Sequence, residues 1–114
     1  MGLDKALLTG STTILILKLL EDKDMYGYQM IEELANRSDD TFTLKAGTLY
    51  PILHGLEKDE MVNSYDSTLD GRTRKYYHLT NKGKKLLTDK RHEWNAYTKA
   101  VNKVLHGGIS YGTV

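Results

Sequence analysis

The 114-residue chain has no cysteine, so a disulfide framework, thiol catalysis and a thiolate metal centre are all excluded. It has one proline, one phenylalanine, one tryptophan and no low-complexity tract. Long hydrophobic runs are also missing. The best, Ile14 to Leu17, is closed by Lys18, far short of the roughly 18 residues that a membrane span requires. Met1 to Gly10 lacks a basic stretch followed by a cleavable apolar segment, so a cytoplasmic location is expected and no membrane partner. There is no glycine-rich phosphate loop and no acidic pair at metal-binding spacing. His54, His78, His92 and His106 are scattered, and the adjacent His92 and Glu93 point different ways on a helix. No catalytic residue, metal or cofactor is therefore expected, and the chain does not read as an enzyme.

What is present is an ordinary globular balance, 39% hydrophobic and 27% charged, at a length where oligomerisation commonly adds buried area. The formal charge of +1 conceals an uneven distribution. Residues 1–42 carry four basic and eight acidic side chains, whereas residues 72–91 carry eight and one. Arg72, Arg74, Lys75, Lys82, Lys84, Lys85, Lys90 and Arg91 make this segment either a phosphate footprint or a solvated face.

Apolar residues between Ala6 and Leu20 cover more than one helical face, which predicts a first helix that contacts both its own domain and a partner. Met30, Ile31 and Leu34 recur at the spacing of a second, shorter helix. A strand-like run, Thr41 to Leu44, leads to a third helix with Leu49, Ile52, Leu53 and Leu56 on one side. Pro51 belongs in its first turn if Thr48 is the N-cap, and a start at Ala46 with a slight irregularity is equally readable. Met61–Ser67 and Thr73–Leu79 read as strands of a hairpin around Asp70-Gly71, with Tyr77 and Leu79 facing the core. From Asn81 to His106 a helix of nearly 40 Å follows. Its Leu87, Lys90, Trp94, Tyr97, Val101 and Val104 alternate at spacings of three and four, and Gly107-Gly108 supply a stop.

This order predicts a mainly α fold with a small β-hairpin, a winged helix-turn-helix with a long C-terminal dimerisation helix. Residues 1–80 would form the DNA-binding domain, 81–108 the dimerisation helix and 109–114 a tail, all within one compact unit. The helix from Thr48 to Lys58 would enter the major groove, exposing Lys45, Thr48, Tyr50, Pro51 and His54 near its N-terminal end. Tyr50 could equally be a core aromatic, His54 an ordinary surface histidine and Thr48 only a cap. Arg72, Arg74 and Lys75 on the hairpin would reach phosphates.

Three blocks carry a family resemblance: Tyr26-Gly27-Tyr28 with Ile31 and Leu34; Gly47-Thr48-Leu49-Tyr50-Pro51-Ile52-Leu53 with Leu56-Glu57; and Arg74-Lys75-Tyr76-Tyr77-His78-Leu79-Thr80 with Gly83. In this order the chain resembles PadR-family regulators over about residues 7–106, and Leu8-Thr9-Gly10-Ser11 with the late Trp94 resembles the subgroup with a short C-terminal helix. The resemblance implies a homodimer on a palindromic double-stranded operator, usually a repressor, often released by an aromatic or amphipathic small molecule. Tyr28 of the first block joins the DNA-binding set, and Leu15 of the first helix, expected to meet a partner, joins a dimer interface of Leu87, Trp94, Tyr97, Val101 and Val104. The resemblance also implies a planar aromatic effector held by Trp94 with Ile14 and Leu17, although the residue by itself reads first as an interface filler. One departure is Asp59-Glu60, where glycine is common at the second position. Without glycine, the left-handed helix end is expected to be lost. The alternative to DNA binding is a winged helix used only as a protein–protein module.

Overall fold

In the computed structural model, which describes the backbone of residues 5–112 and the side chains of residues 11–107, the elements run α1 (Lys5–Asp22), β1 (Met25–Tyr26), α2 (Gly27–Arg37), α3 (Ala46–Lys58), β2 (Val62–Leu69), β3 (Arg72–Leu79) and α4 (Asn81–Gly112). The three strands form one antiparallel sheet in the order β1-β3-β2. This is the winged-helix order that the periodicities imply.

One buried cluster unites the elements. Ile16, Leu17, Leu19 and Leu20 of α1 meet Met30 and Leu34 of α2, Leu49, Leu53 and Leu56 of α3, and Tyr77 and Leu79 of β3. Met25, Val62 and Leu87 close its edges. Burying side chains of this size stabilises by about 1.5–3 kcal/mol each, before chain entropy is subtracted. The hairpin turns through Asp70 and Gly71, with φ of 53° and 73°, as a two-residue turn matched to strand twist requires. Thr80 starts α4: its hydroxyl accepts the Gly83 N–H at 3.0 Å and lies 2.8 Å from the Glu60 carbonyl, to which it donates. A side chain at Gly83 would strike the Met61 carbonyl.

Three sequence expectations need correction, and the open choice of α3 start falls to Ala46. Thr41–Leu44 forms no strand, because its backbone donors turn back to the end of α2: Thr41 N–H donates to the Ser38 carbonyl and Phe42 N–H to the Ser38 hydroxyl, each at 3.0 Å. The third strand is instead β1, which pairs Met25 with Tyr77 and Tyr26 with Tyr76. Helix α3 begins at Ala46, so Thr48 is not its cap and Pro51 sits in the second turn. There the proline leaves the Gly47 carbonyl without a helical donor, at an exposed position open to water. Glu60 does adopt the left-handed conformation, at φ 63°. Around it, Met61 N–H donates to the Leu56 carbonyl (2.8 Å) and Glu60 N–H to the Glu57 carbonyl (3.0 Å), a complete Schellman end built without glycine. Finally, α4 continues through Gly107 and Gly108 to Gly112. Glycine costs a helix about 1 kcal/mol but does not forbid it. Of the expected tail, residues 113–114 lie outside the described residues.

Helix α4 gives the molecule its shape. The radius of gyration is 17.1 Å and the longest extent 65 Å, whereas a compact domain of this length has a radius near 13 Å. Half of α4 therefore projects beyond the core that anchors Leu87.

Candidate nucleic-acid interface

Helices α2 and α3 are flanked by Tyr26 and Lys45 in extended backbone, and neither makes a side-chain cap hydrogen bond. In the first turn of α3 the Thr48 N–H turns back to the Lys45 carbonyl at 3.0 Å, and the positive end of the helix dipole favours an anion there. On α3, Leu49, Leu53 and Leu56 are buried, while Gly47, Thr48, Pro51, His54, Gly55 and Lys58 are exposed. At 3.6 residues per turn the exposed six fall within an arc of about 120°. Pro51 lies near the middle of this arc, with Thr48 and His54 at its two edges. Beyond the adjoining helix backbone, nothing lies within 4 Å of a Cβ built on Gly47 or Gly55, so the surface is shallow and admits a close approach. The arc carries no carboxylate, and Lys45 is exposed just ahead of it.

Tyr50 does not stand on this arc. Its ring is half-buried against the core and its hydroxyl rests on Gly27, the first residue of α2. The ring fills the space a side chain at position 27 would need. Partial burial raises the Tyr50 phenol above its ordinary value, with neighbouring Tyr77 and Tyr28 adding to the effect. The core alternative therefore describes Tyr50 better than a groove-edge residue. Tyr28, one residue into α2, is 66% exposed beside it.

The three basic hairpin residues separate. Arg72 is exposed at the tip and makes no ion pair among the described residues. The Arg74 guanidinium lies 4.6 Å from the Tyr26 ring centroid, on the outer face of the sheet. Lys75 faces the opposite side, with its ammonium 5.6 Å from the Tyr77 ring and 3.9 Å from a Glu57 carboxylate oxygen. Sequence reasoning missed what surrounds Arg74. Tyr26, Tyr76 and Tyr65 form a row across the three strands, edge-on at 5.5 Å and then stacked at 5.8 Å. Beside the row, the Asp24 carboxylate accepts the Tyr65 hydroxyl at 2.6 Å and lies 2.9 Å from His78 Nδ1. Strand alternation could have placed the tyrosines together, but no local signal marks Asp24.

The remaining expected residues lie along α1 and α4. An open groove of about 500 Å³ is lined by Ser11, Ile14, Leu15, Lys18, Phe42, Leu87, Arg91 and Trp94. Ile14 and Trp94 meet there as expected. Leu17 does not, because it is fully buried within the core. Leu87 is 1% exposed, so it belongs to the core and the floor of the groove and not to the free surface of α4. The free stripe starts at Trp94, 42% exposed, and continues through Tyr97 at 62% and the half-buried Val101 to Val104 at 83%. Leu105, 69% exposed beside Val104, lies off the predicted register. Among the described residues no group of three or more metal-ligating side chains gathers, and no helix is long and apolar enough to cross a membrane.

Comparison with known proteins places this geometry among relatives. The sequence profile of the family described as "Transcriptional regulator PadR-like family" matches residues 16–89. The chain is 34% identical to the transcriptional regulator Rv3488 of Mycobacterium tuberculosis over 92 residues, covering 81% of this chain and 80% of that protein. A transcriptional regulator from Clostridium thermocellum superposes with a TM-score of 0.81 at 31% identity, over 87% of this chain and 97% of that one. A PadR family transcription regulator from Clostridium difficile gives 0.72 at 40% identity, over 83% and 98%.

Proposed function

This chain belongs to the PadR-like family of transcriptional regulators, and from that membership we propose that it is a repressor binding a palindromic operator as a homodimer. It is a regulator and not an enzyme. The observation that carries the DNA reading is the exposed arc of α3, shallow at Gly47 and Gly55, free of carboxylates and edged by Thr48 and His54. In this reading α3 lies in the major groove. His54 and Thr48 face base edges, Lys45 and the uncapped helix starts face phosphates, and Arg72 reaches the backbone from the hairpin tip. Tyr28 flanks the α2 start as a further backbone contact, and Pro51, at the centre of the arc, faces the floor of the groove. Arg74 and Lys75 add positive field from the two faces of the sheet.

The observation that supports the homodimer is on α4. Trp94, Tyr97, Val101 and Val104 offer an apolar stripe that the chain's own core does not cover, and Leu15 at the groove edge continues it. A two-fold axis across this stripe sets two α3 helices one DNA turn, about 34 Å, apart. The groove beside Trp94 is the place for a planar aromatic effector. Its charged rim groups, Lys18 and Arg91, are both paired with Glu21, so the groove selects by shape and apolar area more than by charge. The protein would work in the cytoplasm, where its operator is.

The test is fluorescence anisotropy with the DNA upstream of the protein's own gene and with random DNA, over a salt series. Specific binding with a steep inverse salt dependence supports the reading. Equal, weak binding to both DNAs returns the fold to a protein–protein module.

A further inference from the structure

The hairpin is long for its support. Eight residues per strand reach about 26 Å, yet β1 braces only Tyr76 and Tyr77 at its base. Beyond the Asp66–Lys75 pair it is a two-stranded ribbon, and an isolated ribbon is marginal in water. Two carboxylates grip its base from opposite faces. On the inner face, Glu57 of α3 accepts the Ser64 hydroxyl at 2.6 Å and faces the Lys75 ammonium at 3.9 Å. On the outer face, Asp24 accepts the Tyr65 hydroxyl at 2.6 Å and pairs with His78 at 2.9 Å. Each carboxylate therefore holds both strands. Glu57 ties them to the helix assigned to the major groove, and Asp24 ties them to the residues that lead into α2.

We propose that Asp24 and Glu57 are opposed positioning residues that fix the angle of the hairpin to α3 and so deliver Arg72 to the DNA backbone. Neither carboxylate touches DNA, and each would repel phosphate if it did. Their contribution is to pre-order the tip, so that Arg72 does not lose its freedom at the moment of binding. The tyrosine row adds stiffness on the Asp24 side, since Tyr65 is held both by the carboxylate and by stacking on Tyr76. The DNA part of this inference rests on the function proposed above, whereas the stiffness part does not.

The test uses the full chain and two readouts. Without DNA, the backbone order parameter of the Gly71 amide is measured by 15N relaxation. With DNA, the affinity and salt slope are measured for the upstream operator. In the Asp24→Ala/Glu57→Ala variant the Gly71 order parameter should fall from about 0.85 toward 0.6. Operator affinity should fall as far as in Arg72→Ala, and adding Arg72→Ala to the pair should cost nothing more, while preference among operator variants stays as in the wild type. Tyr65→Phe and Ser64→Ala, which each remove one hydrogen bond and keep both carboxylates, should give intermediate tip order if the pair variant folds poorly. An unchanged order parameter overturns the proposal, as does full additivity with Arg72→Ala. If the wild type binds no DNA, the function reading falls, and the order parameter alone decides whether the carboxylates set the hairpin.

Discussion

Replacing Gly27 with alanine tests the most specific contact in the interface, the seat of Tyr50 on the first residue of α2. The added Cβ would collide with the Tyr50 hydroxyl and lie 2.6 Å from its Cζ and 3.0 Å from its Cε1. Gly27 is not among the positive-φ residues, so alanine suits its backbone and the penalty is purely steric. Overpacking of this kind costs about 1–3 kcal/mol. Alanine in a helix recovers up to about 1 kcal/mol over glycine, and less at the first position, leaving a net loss of roughly 1–2 kcal/mol. For a chain of this size the melting temperature should fall by about 4–12 °C. The α2–α3 spacing must also open or Tyr50 must swing out, so operator affinity should fall together with stability. Tyr50→Phe should relieve the collision only in part, because Cζ remains, whereas Tyr50→Leu beside Gly27→Ala should remove it. Thermal melts and anisotropy on the wild type and these three variants suffice. A melt at or above the wild type for Gly27→Ala would refute the reasoning, since the ring would then not be pinned where it is.

Glu60→Gly should stabilise by about 1 kcal/mol in a denaturant titration, because it removes the left-handed strain at φ 63° while keeping the helix end; a loss would mean the Glu60 side chain contributes more than its strain costs. Arg72→Ala should weaken specific and random DNA alike and lower the salt slope by roughly one unit, whereas His54→Ala should shift preference among operator variants by about 1 kcal/mol or more. Val104→Asp places a charge on the 83%-exposed part of the α4 stripe and should convert dimer to monomer in light scattering without altering the far-ultraviolet spectrum. Partial burial pushes the Asp24 carboxyl up, but hydrogen bonds from Tyr65 and His78 outweigh it and hold the group below its ordinary 3.8. The stability Asp24 contributes is therefore present above that value and is lost as pH falls below it, so Asp24→Asn should flatten the acid side of the stability curve. Equal acid sensitivity of wild type and variant would contradict this.

What the sequence made legible follows from how local each signal is. The Leu49, Leu53 and Leu56 spacing, the Asp70-Gly71 turn and the Tyr77/Leu79 alternation act over a few residues and appear as expected. Strand β1, with two residues, is too short for any periodicity, and its pairing with β3 is decided by residues fifty positions away. Asp24 is equally silent because its partners lie 41 and 54 residues downstream. Tyr50 sits at the margin of the α3 apolar face, where the pattern permits either direction. The vacancy at Gly27, twenty-three residues earlier, draws it inward. Leu17 and Ile14 could not be separated because α1 is apolar on more than one face, and only its packing shows that Leu17 turns to the core. Leu87 obeys the same spacing as Trp94 but lies where α4 still covers its own core, so periodicity alone overcounted the free stripe.

That division of α4 bears on how an effector could act. Leu87 is locked in the core while Trp94, two turns on, is open, and both line the same groove with Ile14 and Leu15 of α1. Arg91 on α4 approaches Glu21 on α1 at 3.6 Å, and Glu21 also takes Lys18, so a loose ion network spans the two helices at the groove. Its members are exposed, and such pairs hold a geometry weakly. A molecule inserted between Trp94 and α1 would meet apolar walls at the open end of the groove, where the ion pairs resist little, while the buried Leu87 holds the other end fixed. In the proposed dimer the direction of α4 sets the distance between the two α3 helices. A ligand there would alter operator affinity only to the extent that it binds one α1–α4 separation better than another, whatever its overall affinity.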